Sequence, residues 1–433
     1  MPEKIREKGG IHYGWVVLGV GILVVAGSLG FDRFGYSVIL PSMQSGLRLT
    51  PGETGIAASA NMLGYVLTVL FAGILTSRFG ARVMVPMSVL WTGLAMVLTS
   101  LAGGLISLAL LRFITGIGSA GGNISIMGLA SSWFSRNRRG MACGFLVGGS
   151  GLAIAFTGWM IPRLSAAFPL EGWRIGLAVM GGITFLIGIA AAVIIRDSPA
   201  EKGLMPVGDN GDSGAAVQPE DEDPLSLRDI FRSRGVPVLA ITYFCFGFSY
   251  IIFATFFVGY LTGEKGLSQM DAGSVWSVVG CLSIGSAVIW GTLSDIIGRK
   301  RTLSIVLAFQ AASYLLPVVT GSLLYVWISA VLFGFTAWSV PGIVTSFCGD
   351  LVGPRYAPTT LGLVTVFFGL GQVMAPTCAG YIKELSGSLN GGFIVAAAIA
   401  FAGAALCLPG WRRSGKGYPA VLKSSDCVKT TNM

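Results

Sequence analysis

Gly73-Ile-Leu-Thr-Ser-Arg-Phe-Gly-Ala-Arg82 and Gly291-Thr-Leu-Ser-Asp-Ile-Ile-Gly-Arg-Lys300 are one text written twice, 218 residues apart. In both copies a glycine opens the segment, a second glycine follows, and basic residues close it. Each copy ends an apolar run. Gly30-Phe31 and Gly247-Phe248 repeat at nearly the same offset, 217 residues, each in the first apolar run of its series. Two similar offsets at matching places mark an internal duplication, and a duplication of this length sets the architecture.

What surrounds the repeats is apolar. Hydrophobic residues make up 53% of the 433, charged residues 11%, and the mean hydropathy is +0.75. A soluble domain carries about 25% charged residues. Runs of roughly 20 or more apolar residues recur, each long enough to cross a hydrocarbon layer of about 30 Å as a helix. A closed β-barrel is the other spanning solution, but these runs do not alternate in polarity as barrel strands do. The sequence predicts an all-α membrane protein of twelve transmembrane helices in two pseudo-symmetric six-helix halves. The spans fall at about 14–41, 53–76, 82–101, 104–131, 140–166 and 174–195, then about 236–262, 270–295, 301–320, 322–349, 357–385 and 390–409, edges being the least certain feature of such a reading.

The domain reading is 1–195 for the N-terminal half, 196–235 for a linker, 236–410 for the C-terminal half and 411–433 for a tail. The linker holds Asp209, Asp212, Glu220, Asp221, Glu222 and Asp223 among Gly, Pro and Ser, a composition that stays solvated; Leu225–Arg234 could form a short surface helix. Met1–Gly10 is charged and no small-residue cleavage site follows, so the first run reads as a span and not as a removed signal. Outside the spans, Lys and Arg gather on one side, as at Arg136, Arg138, Arg139, Arg299, Lys300 and Arg301, with only Arg48, Arg163, Arg174, Lys265 and Lys383 opposite. The positive-inside rule then puts both termini in the cytoplasm of a cell-membrane protein. It also accounts for the net charge of +9 without nucleic acid as a partner. The seven cysteines show no metal or disulfide spacing.

With these features the chain resembles the major facilitator superfamily. The resemblance rests on the duplicated G-x-L-x-[D]-x-x-G-x-R loop, the linker between six-span halves, and Arg112-x-x-x-Gly116-x-Gly118. It implies two repeated halves with a substrate site near the bilayer midplane. It also implies a cytoplasmic gate at Gly73, Arg78, Gly80, Arg82, Gly291, Asp295, Gly298 and Arg299. Ser77 stands where the first copy would carry an acid, so the resemblance rests the clamp more on Asp295 in the second. More narrowly, Gly14-Trp15-Val16-Val17 and Trp133-Phe134-Ser-Arg-Asn-Arg138-Arg139-Gly140-Met-Ala142-Cys-Gly144 look like the monocarboxylate porter and oxalate:formate antiporter families. That resemblance places Arg33 where such porters carry a substrate-binding basic residue. It is broken in span 8, where Ser283 and Ala287 replace their charged pair, and in span 11, which lacks the antiporter lysine.

Burying an ion within a span costs on the order of 3 kcal/mol, which makes such residues functional candidates. Asp32, Arg33 and Arg112 are the clearest. Arg33 lies about 27 Å along the helix from Trp15, toward the outer part of the bilayer. It meets a substrate carboxylate through its planar fork, snorkels to the external surface, or simply pairs with an acid. Burial disfavours a charged carboxylate and a nearby arginine favours it, so Asp32 is a candidate proton carrier or a counter-ion. Neighbours on a helix point about 100° apart, so Asp32 and Arg33 do not directly face each other. Arg112 is either a gating charge or a structural partner, Asp32 being one candidate for it. The repeat offset sets Ser249 and Tyr250 opposite Asp32 and Arg33. Tyr36, Asn61, Asn123, Trp338 and Gln372 are further polar candidates for the site, though interhelical hydrogen bonds explain them equally well.

Gly116–Gly122 follows no strand of a βαβ unit, so a dinucleotide or P-loop reading fails. The only histidine is His12 and no ATPase motif is present. An enzyme and a bound cofactor or metal are therefore not expected. The expected function is secondary transport, as a monomer, of a small organic anion, in the first place a monocarboxylate, coupled to protons or to exchange. The alternative is proton-driven efflux of a hydrophobic or cationic compound through Asp32. A non-transporting receptor would need a sensory domain that the short linker and tails do not supply.

Overall fold

The computed structural model describes residues 12–208, 227–233 and 235–408. Met1–Gly10, the acidic part of the linker and the tail from residue 411 lie outside the described residues. Nine of the described helices are long and apolar enough to cross a membrane; two further spans are bent pairs, and Asn390–Leu406 is shorter. In chain order the helices are α1 Tyr13–Leu47, α2 Pro51–Phe79, α3 Ala81–Thr99, α4 Leu105–Trp133, α5 Arg136–Ala167 and α6 Gly172–Ile194. The second series is α7 Val236–Gly263, α8 Gln269–Ile297, α9 Arg299–Val319, α10 Leu323–Gly353, α11 Tyr356–Ser386 and α12 Asn390–Leu406. Among the described residues the sole β feature is an isolated bridge between Phe134 and Val207. The predicted all-α, twelve-helix fold in two six-helix halves is thus the observed one.

Two details differ from the sequence reading. α1 continues through Pro41 to Leu47, past the expected edge at 41. Arg33 therefore sits near the middle of a 35-residue helix and not toward its outer end. The hydropathy of the run falls off before the helix does, because Pro41 and the polar residues after it are accommodated by neighbouring helices. α8 is broken at Ile284-Gly285 and bends by 45°, where a single run was expected. In the linker, Leu227–Arg232 is the short helix foreseen there.

Local chemistry explains the turns. α2 starts in a capping box: Thr50 Oγ1 accepts from Glu53 N at 3.2 Å, and Thr50 N donates to Glu53 Oε2 at 2.8 Å. It ends on Gly80, whose φ of 80° permits α3 to begin one residue later; Gly298, at φ 94°, does the same between α8 and α9. A side chain forced into the left-handed region costs about 1–2 kcal/mol, which accounts for the second glycine of each repeat.

Lipid offers no hydrophobic drive for helix pairing, so small residues bring backbones together. A Cβ on Gly116 would overlap the Asn61 carbonyl, which locks α4 against α2. Gly30 and Gly149 do this between α1 and α5, and Gly247 and Gly371 between α7 and α11. Gly158 faces Gly273 and Gly151 faces Gly280 where α5 of one half meets α8 of the other; Gly55 lies on the Pro376 backbone where α2 meets α11. At the end opposite the repeats these contacts are joined by Thr377 Oγ1 donating to Ser59 Oγ at 2.7 Å and Thr50 Oγ1 to Glu384 Oε2 at 3.0 Å.

At the repeat end, Gly73, Gly291 and Gly298 have open space where a side chain would start. Described ion pairs of Arg82 and Arg299 stay within their own halves. The Arg82 amide donates to Asp197 Oδ1 at 2.8 Å and its guanidinium meets Glu201 at 3.5 Å. Arg299 pairs with Asp295 at 2.5 Å and Asp350 at 3.3 Å. Arg78 lies over the Phe79 ring. Asp197 thus supplies, from just beyond α6, an acid at the first repeat, where Ser77 cannot. The halves are joined at the far end, and the ion pairs of Arg82 and Arg299 among the described residues do not bridge them.

Gly116→Val should lower the apparent melting temperature of the detergent-purified protein, since overpacking costs about 1–3 kcal/mol. Gly128→Val, on the same helix but facing open space, should leave it unchanged.

Candidate functional site

Ala26–Gly35 of α1 winds as a π-helix, and all of it except Leu29 is buried. Such wider turns are frequent at functional sites. This stretch delivers two adjacent charges to two different neighbourhoods. Asp32, fully buried, faces α4 and α2. Arg112 Nη1 donates to Asp32 Oδ1 at 2.7 Å and to the Asp32 carbonyl at 2.8 Å. Asn61 Nδ2 lies 3.1 Å from Oδ1 and 3.0 Å from Oδ2 of the same carboxylate, and 3.1 Å from the Arg112 carbonyl. The Arg112 guanidinium rests on the Tyr36 ring at 4.2 Å. Ser119 of α4 also donates to the Ser28 carbonyl, tying the same two helices. Arg112 thus pairs with Asp32, and Asn61 and Tyr36 join the same network.

Arg33 points elsewhere. Its guanidinium covers the Tyr65 ring at 4.2 Å, and the Tyr65 hydroxyl accepts from Asn123 Nδ2 at 2.9 Å. Arg33 is 6% exposed, yet its Nε and Nη2 have no hydrogen-bond partner. These two groups form the side-on fork that matches a carboxylate, and a buried donor left unmade costs about 1–3 kcal/mol. Across the halves, the Tyr250 hydroxyl lies within electrostatic reach of Arg33 and accepts a hydrogen bond from Gln372 Nε2. Tyr250 stacks on Phe246 at 4.7 Å and meets Trp338 edge-on at 6.4 Å; Trp338 packs on Phe34 at 4.6 Å. Asn123 Oδ1, Gln372 Oε1 and Trp338 Nε1 are buried without partners.

The candidates therefore fall into two groups. Asp32, Arg112, Asn61 and Tyr36 form a network inside the N-terminal half, in which Arg112 Nε, Asn61 Oδ1 and the Tyr36 hydroxyl are also buried without partners, while Arg33, Asn123, Tyr250, Gln372 and Trp338 converge where the halves meet. Ser249, the repeat counterpart of Asp32, donates to the Phe246 carbonyl at 3.2 Å and takes no part. Tyr65 was not singled out by the sequence reading. A signal was available: it lies four residues beyond Asn61, and positions i and i+4 share a helix face.

Two matched helical halves meeting over a buried cation and aromatic walls define a membrane transporter of the repeated-half kind. The family model of the Major Facilitator Superfamily matches residues 22–376 and again 239–420, and the chain belongs to that superfamily. The chain is 26% identical over 397 residues to the probable sulfoacetate transporter SauU of Cupriavidus necator, covering 86% of this chain and 88% of that one. It is 22% identical over 394 residues to the hexuronate transporter of Bacillus subtilis, covering 87% and 90%. A crystal structure of a bacterial homologue of the human lysosomal transporter Spinster, inward-facing and occupied, matches with a TM-score of 0.73 at 16% identity, covering 92% and 97%.

Removing one partner of a buried ion pair costs about 3–5 kcal/mol, because the other charge is stranded. Arg112→Leu should therefore lower the melting temperature sharply, and adding Asp32→Asn to that variant should recover part of the loss. Additive losses in the two variants would show that the pair does not act as one unit.

Proposed function

We propose that this protein is a secondary transporter of a small organic anion, a monocarboxylate bearing hydroxyl groups, with Arg33 as the carboxylate contact. One observation carries the reading: the side-on edge of Arg33 is buried and unpartnered, facing the seam between the halves. The relatives that move sulfoacetate and hexuronate support an anion. Asn123 Oδ1 and Gln372 Oε1 support hydroxyls on it, because a buried acceptor suits an O–H donor. Tyr250 and Trp338 supply the aromatic wall such pockets use.

Efflux of a cation is the weaker reading. Both oxygens of Asp32 are taken by Arg112 and Asn61, which supports a counter-ion role and leaves no acid there for a cationic solute. The charge pattern along the sequence supports the repeat end as the cytoplasmic one, in a multi-pass cell-membrane protein. Closure at the opposite end then corresponds to an inward-open state, one half-cycle of alternating access.

Arg33→Ala should abolish uptake of glucuronate or sulfoacetate into proteoliposomes while leaving the melting temperature near wild type. Arg33→Lys should fail to restore it, because a lysine lacks the planar fork. Uptake at the wild-type rate in Arg33→Ala would sink the assignment. Gln372→Leu should reduce the preference for glucuronate over propionate by about tenfold, the worth of one hydrogen bond to a substrate hydroxyl, measured by competition for uptake.

A further inference from the structure

A cavity of about 290 Å³ lies between the halves at the end opposite the repeats. Its walls include Gln44 and Ser45 of α1, Thr54 of α2, Thr262 of α7 and Lys383 of α11. Lys383 is the one charged side chain among the described lining residues. Two acids lie near it, each holding hydrogen bonds from neutral donors. Glu264, within electrostatic reach of Lys383, accepts from Ser388 Oγ at 2.6 Å and from the Leu389 amide at 2.5 Å. Glu384 accepts from Thr50 Oγ1 and the Gly52 amide, both at 3.0 Å. No ion pair within 4 Å joins Lys383 to an acid among the described residues.

The hydroxyls of the cavity have already donated: Ser45 to the Pro41 carbonyl at 3.1 Å, Thr54 to Pro51 at 2.7 Å and Thr262 to Val258 at 3.2 Å. Their oxygens are left as acceptors. An ammonium set among hydroxyl acceptors is complementary to an acid that carries hydroxyls of its own.

We infer that this cavity is a second site for a small hydroxylated organic acid, and that its occupant holds the halves shut on this side. The inference rests on the transport reading for its ligand class. The walls come from α1 and α2 of one half and α7 and α11 of the other, so a ligand touches both only while they are together here. A ligand that binds one state better shifts the population toward that state. An acid arriving from this side therefore slows turnover by stabilising the closed seam.

The test is titration of the purified full-length protein with glucuronate. Wild type should bind two equivalents and Arg33→Ala one. In the Arg33→Ala background, Lys383→Gln should weaken the remaining site about tenfold or more, the worth of a charge-assisted bond, and Lys383→Arg should keep it. In proteoliposomes, raising the acid on the cavity side should slow exchange in wild type, and Lys383→Gln should relieve the slowing. No binding of glucuronate, or binding indifferent to Lys383, overturns the inference. If the Lys383-dependent equivalent is present while Arg33→Ala costs nothing, this site stands and the central assignment falls.

Discussion

The contact between Asp32 and Arg112, 2.7 Å long and fully enclosed, is the constraint on which the rest of the site depends. Two charges withdrawn from water persist only when well paired and further hydrogen bonded, and Asn61 completes the set. The consequence is positional. With the carboxylate engaged by α4, the neighbouring arginine on α1 has no ion-pair partner among the described residues and is held over Tyr65 with its Nε and Nη2 unpartnered. An ion pair engaged within the half thus lies beside a buried cation whose Nε and Nη2 are unpartnered.

The two halves share a plan and differ in chemistry. Position for position, Asp32 and Arg33 stand against Ser249 and Tyr250. The N-terminal half contributes the charge, and the C-terminal half contributes the stacked rings of Phe246, Tyr250 and Phe368 with Gln372. An asymmetric solute, acidic at one end and hydroxylated over the rest, fits between unlike walls better than between like ones. The repeat loops diverge in the same manner: Asp295 is built into one, whereas the other borrows Asp197 from beyond α6.

Much of this was legible in the sequence, for identifiable reasons. Duplicated loops survive as text because Gly80 and Gly298 must take a conformation that other residues resist. Ionisable residues within apolar runs are so costly that Asp32, Arg33 and Arg112 stood out unaided. The end of α1 was placed too early because hydropathy marks where a helix stops being apolar, not where it ends, and α1 runs on through Pro41. Who pairs with whom was beyond a one-dimensional reading: Arg112 reaches Asp32 across eighty residues because α4 packs on α1, where Ser119 donates to the Ser28 carbonyl. Tyr65 went unnoticed because an aromatic residue among aliphatic ones looks like packing until a guanidinium is seen above it.

The π-wound stretch from Ala26 to Gly35 has a bearing on how relatives of this chain are compared. A wider winding changes the phase between the two ends of a helix, so the face presented by Trp15 no longer predicts the face presented by Arg33. In a relative with ordinary winding here, the residue aligned with Arg33 by counting would point to a different neighbour. The equivalent charge would then occupy an adjacent column. Homology of position and homology of direction part company in this helix, and the counterpart of Arg33 is best traced by which side chain lies over the tyrosine of α2.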